Sequence, residues 1–350
     1  MTSVSAFSYP SNHPKGLSRP LILLVALSLG LCAFSWLLVG GMLRGGASGV
    51  AKWAALGVQG EEMGQFQQPR GITGLPDGSF VVVDRAARVQ HFAADGTPLH
   101  LWSMKEHDLG NPKGLCVLPD GSLLVCDTHY GRVLVMSVSG ELIRSWGGPG
   151  RGPSQFTHPM SAVVDQKRQV VYVVEYGDKN DRVQKFKPDG TFIKAWGSFG
   201  VEPGEFQRPS GITLDSDGNV YVADAVNHRI QKFDPEGKLL KVFGKMGYTP
   251  GELRYPYDIA CGPNDLLYVA EFNNHRVSVF DRDGVFQRVI GGPGNGRAEF
   301  ANPWSIAVDS RGRLLVSDTG NHRVQIFDVA SDRALKEGVT ASLPANSSKE

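Results

Sequence analysis

The sequence predicts an all-β fold, a closed ring of six copies of one four-stranded antiparallel unit, preceded by one membrane-spanning helix. Three observations predict it. A proline opens each copy, at Pro69, Pro112, Pro159, Pro209, Pro256 and Pro303, with spacings of 43, 47, 50, 47 and 47 residues. Within each copy, a strand that ends in an acid is followed by a strand that begins with arginine. Glycine makes up 43 of the 350 residues, about 12% against a usual ~7%, so turns are many and strands short. Repetition with a period of this length is the signature of stacked supersecondary units.

In chain order, residues 1–20 form a polar segment and residues 21–43 an uncharged apolar run of 23 positions. At ~1.5 Å per residue a helix of that length crosses a ~30 Å hydrocarbon core, so the run reads as an uncleaved anchor. A signal peptide cleaved near residues 45–48 is the competing reading, but its apolar core is normally only ~7–15 residues long. Lys15 and Arg19 precede the run and Arg44 follows it. That bias of one charge places the N-terminus in the cytoplasm and the main domain outside.

The unit is clearest at 209–244, where turns containing Asp-Gly, Asn-His and Glu-Gly separate four short runs. Glycine supplies the positive φ that tight hairpins need. The run Asn219–Asp224 is apolar on both faces, as an inner strand covered on both sides should be. The second strands end at Asp84, Asp127, Glu175, Asp224, Glu271 and Asp318; the third begin at Arg88, Arg132, Arg182, Arg229, Arg276 and Arg323. Fourth strands follow in five copies, but the sixth runs instead into a charged segment. The missing strand is expected at 50–57, where it closes the ring and removes exposed sheet edges.

Asn227-His228-Arg229, Asn274-His275-Arg276 and Asn321-His322-Arg323, each three residues after a strand-terminal acid, resemble NHL repeats. The resemblance covers about 50–328 and implies a six-bladed β-propeller, with residues 329–350 as a flexible polar tail. Blade 1, with a shortened turn at 84–88, and blade 3, with a turn two residues longer at 175–182, depart from the pattern.

The recurring acid–arginine pairs read as hairpin braces, because a catalytic site draws different residues from each blade. His228, His275 and His322 invite a zinc reading, yet equivalent loop positions on successive blades lie too far apart to share one ion. Cys116 and Cys126 flank a Pro-Asp-Gly turn as possible cross-strand neighbours; four cysteines in so long a chain are no disulfide framework, and both read as buried apolar side chains.

Function is expected where the copies differ. The position after each proline reads Arg70, Lys113, Met160, Ser210, Tyr257 and Trp304, and the position after each strand-terminal acid reads Arg85, Thr128, Tyr176, Ala225, Phe272 and Thr319. Both rows are expected on one face, around the axis. The candidate binding residues are Arg70, Arg85, Lys113, Tyr176, Tyr257, Phe272 and Trp304, a basic side facing an aromatic one. Similar propellers include the peptidyl-hydroxyglycine amidating lyases, whose zinc is held by post-proline histidines in alternate blades. None of the six positions here is histidine, although Arg85 matches an arginine of those enzymes. Lactonase-type propellers need a Glu/Asn/Asp metal cluster at the axis, whereas the acids here read as braces.

No catalytic set, metal site or cofactor is therefore expected. Beyond residue 49 the chain holds 33 basic and 35 acidic residues, which argues against a nucleic-acid partner. The expectation is a membrane-tethered, non-catalytic binding, scaffold or sensor domain for a peptide, glycan or protein partner. A metal-dependent lyase or lactonase with its site at the axial mouth is the alternative.

Overall fold

A computed structural model describes residues 53–106, 108 and 112–330. The expected polar segment 1–20, the expected span 21–43 and residues 331–350 of the expected tail lie outside these residues. Among the described residues no helix is long and apolar enough to cross a membrane.

The chain forms six four-stranded antiparallel sheets. Blade 1 runs from its inner strand Pro69–Gly74 through Phe80–Asp84 and Arg88–Phe92 to Pro98–Ser103. Four blades repeat this order, with inner strands Gly114–Val117, His158–Asp165, Pro209–Leu214 and Pro256–Cys261. The sixth sheet has the order Ile306–Val308, Arg313–Asp318, Arg323–Asp328 and then Trp53–Leu56. Trp53 pairs with Phe327 and Leu56 with Val324, so the N-terminal strand closes the ring. Each inner strand packs beside the next, and the sixth returns to the first.

Alternation along the second strands explains why the ring must close. In Val220–Asp224, Val220 and Val222 pack toward blade 3 while Tyr221 and Ala223 pack toward blade 5. Every neighbouring pair of blades shares one such buried cluster, six in all among the described residues. A blade without a neighbour would expose one apolar face. The C-terminal limit shifts slightly: Val329 is buried in the cluster between blades 5 and 6 and donates its N–H to Gly312 O. The fold therefore continues to Ala330, two residues into the expected tail. The cysteines pack as expected, Cys126 in the buried cluster between blades 2 and 3 and Cys116 against it. Cys116 pairs with Leu124 and Cys126 with Gly114, two positions apart in the ladder, and burial pushes both thiols up, Cys116 to about 12.

The acid–arginine pairs hold each blade to the loop that enters it. All six form ion pairs at 2.5–2.8 Å. In blade 4, Arg229 Nε donates to Asp224, while its terminal nitrogens donate to the carbonyls of Val201, Glu202 and Glu205 in the entering loop. Asp224 also accepts the Gln207 N–H at 2.7 Å, and blades 5 and 6 repeat the pattern. Blades 1 and 3 keep it despite their altered turns.

The turn histidines link blade to blade. His228, His275 and His322 sit at φ 52–55°. Their Nδ1 atoms accept backbone N–H groups of Tyr255, Asn302 and Gln68 in the next blade, at 3.0, 3.0 and 3.3 Å. Asp181 takes this role in blade 3, accepting the Arg208 N–H at 2.6 Å.

Arg276→Met should cost about 3–5 kcal/mol in urea unfolding, because it leaves Glu271 buried without its partner. Arg282→Met, which removes the pairs of a half-exposed arginine with Asp217 and Asp265, should cost less than about 1 kcal/mol. Equal effects would mean that the buried pairs are not the braces described.

Candidate functional site

The residue after the proline reaches the axis because the backbone bulges there. The ladder between the two inner strands slips between Pro69 and Gly71, Pro159 and Ser161, Pro209 and Gly211, and Pro256 and Asp258. Arg70, Met160, Ser210 and Tyr257 are thus the extra, unpaired residues of β-bulges, which re-aim side chains. In blades 2 and 6 the regular strand starts later, and Lys113 and Trp304 lie just before it. All six post-proline residues line one axial cavity of about 190 Å³.

The cations do not face the aromatic residues across the mouth, as expected, but lie over their rings. The Arg70 guanidinium lies 4.7 Å from the Trp304 ring centroid, and Lys113 Nζ lies 5.8 Å from the same ring. Arg208 stands 5.4 Å from both the Tyr176 and Tyr257 rings. Tyr257, Trp304 and Phe272 form a cluster with centroids 4.7–5.4 Å apart, within the usual range for aromatic pairs. Among the described residues Arg70, Lys113 and Arg208 make no ion pair, and the Nε atoms of both arginines are buried without a hydrogen-bond partner. Burial, together with Arg70 and Arg208, pulls the Lys113 ammonium down to about 8. Burial and the neighbouring Arg85 also lower Arg70.

One carboxylate lies on the cavity wall. Asp258 accepts the N–H groups of Ile259 at 2.9 Å and Ile306 at 3.0 Å, and the Ser305 hydroxyl at 2.7 Å. Enclosure outweighs these donors and pushes its carboxyl up to about 6.

The second expected row is only partly exposed. Thr128, Ala225 and Thr319 are buried, and Thr319 donates to Pro69 O in blade 1. Arg85 is exposed beside Gln68, whose side-chain oxygen it contacts at 3.1 Å. Tyr176 stacks on His158 at 5.2 Å, and with Phe272 it stands around the mouth without lining the cavity. Sequence reasoning missed Arg208. It precedes a proline at φ 53°, and Gln68, Tyr255 and Asn302 share that left-handed conformation. The row was detectable by position, but its residue types carry no common signal. Among the described residues no three His, Cys, Asp or Glu side chains converge as metal ligands.

The NHL repeat family model matches residues 109–136, 206–233, 253–280 and 300–327; the two blades with departing turns are the two left unmatched. No curated protein matches the chain. Among solved structures, a streptogramin B lyase superposes with a TM-score of 0.55 at 14% identity, covering 79% of this chain and 98% of that one. Virginiamycin B lyase from Staphylococcus aureus gives 0.56 at 14%, covering 79% and 99%. A putative gluconolactonase gives 0.56 at 16%, covering 79% and 92%. Identities this low show a shared fold and nothing finer.

Asp258 provides a pH test of the cavity wall. Its carboxyl holds a proton more tightly folded than unfolded, so its contribution falls as pH rises from about 4 and is fully lost above about 6. A shift of this size corresponds to at most ~3 kcal/mol. Asp258→Asn should therefore gain stability relative to wild type between pH 4 and 7 in urea titrations. Parallel profiles would place Asp258 in contact with solvent.

Proposed function

Since the chain is an NHL-repeat propeller with six four-stranded blades, we propose that it is a binding module whose axial mouth holds a peptide, glycan or protein partner. The single observation that carries this reading is the contrast between its two sets of cations. The arginines repeated in every blade are paired with buried acids. Arg70, Lys113 and Arg208, which occur once each, are held unpaired against Trp304, Tyr257 and Tyr176. Arginine and large aromatics are the residue types that most often anchor interfaces, and here no scaffold bond explains them.

Tethering is part of the proposal and rests on the uncharged run 21–43. The charge bias of Lys15 and Arg19 over Arg44 supports a propeller on the far side of the membrane from the N-terminus. A metal-dependent lyase or lactonase is the competing reading, since lyases and a putative gluconolactonase share the fold. It needs several convergent oxygen or nitrogen donors at the axis. The one carboxylate on the wall, Asp258, already accepts three hydrogen bonds.

Replacing Arg70, Tyr257 and Trp304 together by Ala should abolish partner capture in affinity purification while leaving the melting temperature within a few degrees of wild type. Capture unchanged in the folded variant would remove the mouth and direct attention to the rim.

A further inference from the structure

Taking the axial mouth as the binding site, as proposed above, we infer that it recognises an oxyanion group, a phosphoryl or carboxylate end of the ligand, through Arg70, Lys113 and Arg208 with the Trp304 and Tyr257 rings behind it. Three cations converge on two adjoining rings of one wall. A buried guanidinium carries donors that ordinarily find acceptors, yet the Nε atoms of Arg70 and Arg208 have none. Elsewhere this chain does supply acceptors for its buried arginines: Arg88, Arg182, Arg229, Arg276 and Arg323 each meet an acid and loop carbonyls. Arg144 and Arg254 also carry a buried Nε without a partner; what sets the mouth apart is that two such arginines and Lys113 converge on one pair of adjoining rings.

The positive potential is local. Beyond residue 49 acids slightly outnumber bases, 35 to 33, so these three cations are not part of a generally basic surface. Asp258 does not neutralise them. Its oxygens are occupied by Ser305 and two backbone N–H groups, and the charges acting on Lys113 are those of Arg70 and Arg208. Holding like charges together at a partly desolvated site is unfavourable until a countercharge arrives. An oxyanion supplies it and the missing acceptors in one group, and arginine forks match phosphate and carboxylate geometry. The size agrees. A cavity of about 190 Å³ is below the ~300–1,000 Å³ of pockets that enclose a drug-sized ligand. It admits the anionic end of a ligand whose body lies outside, against Phe272 and Tyr176.

The test is calorimetric titration of the purified full-length chain with sodium phosphate and, separately, sodium malonate, at constant ionic strength. Saturable one-to-one binding of either supports the inference; the anion that binds more tightly tells whether the end group is phosphoryl or carboxylate. Lys113→Met and Arg70→Met should each raise the Kd at least about tenfold, equivalent to about 1.4 kcal/mol. Arg282→Met, which removes a surface cation remote in sequence from the mouth, should leave it unchanged. If Arg70→Met does not fold, Lys113→Met alone carries the comparison, with Lys113→Arg retaining binding. Absence of saturable binding by both anions, or unchanged affinity in folded Lys113→Met, overturns the inference. If the anions fail while the triple mouth variant still loses its partner, the anion inference falls alone. If partner capture also persists in that variant, the mouth is not the site.

Discussion

The buried pair between a strand-terminal acid and the arginine that opens the next strand is the interaction on which the rest of the structure depends. Its arginine also grips the carbonyls of the loop arriving from the preceding blade, as Arg276 does with Tyr248, Thr249 and Glu252. Its acid accepts a backbone N–H from the residues leading to the proline, as Glu271 does from Arg254. One pair thus fixes a hairpin, an entering loop and the start of an inner strand. Stability is not its main product. Burial still lifts the carboxyls of Asp224 and Glu175 above their ordinary range despite the facing arginines, so the ion pairs do not fully offset desolvation. What they secure is position, the role for which buried charge networks are best suited when every member is satisfied.

Position is what the mouth needs. With the proline held, the residue after it lines the axial cavity in all six blades, turned there by a bulge in blades 1, 3, 4 and 5; Met160 also packs into the cluster between blades 3 and 4. The acid and arginine recur in all six blades and the turn histidine in blades 4, 5 and 6. The axial residue can then vary from Arg70 to Ser210 to Trp304 without disturbing the ladder. The same logic explains why the mouth can hold unpaired cations. Their cost is borne at three positions, Arg70, Lys113 and Arg208, none of which belongs to the buried clusters that join the blades.

Much of this was legible in the sequence because each signal occurred six times. Proline spacing located the blades, and the count of fourth strands, one short, located the closing strand within 50–57, where the structure has it at Trp53–Leu56. The post-proline ring was legible for the same reason, since its register comes from the proline and not from its own varied residues. What escaped depended on backbone geometry that no side chain announces. Arg208 reaches the mouth from a left-handed residue whose equivalents are Gln68, Tyr255 and Asn302. Thr128 and Thr319 share the row expected around the axis, but each begins a short 3-10 turn in which it is buried. Val329 was hidden by the charged residues around it.

If scaffold and site are separate in this way, the mouth cations should oppose folding while the brace cations support it. The direct measurement is the urea unfolding free energy of Lys113→Met at pH 7. With Lys113 pulled down to about 8 by burial and by Arg70 and Arg208, its charged form is penalised in the folded chain. Removing that charge should raise stability by about 1–3 kcal/mol. A fall in stability would show that Lys113 belongs to the scaffold, and would contradict the division on which this account of the propeller rests.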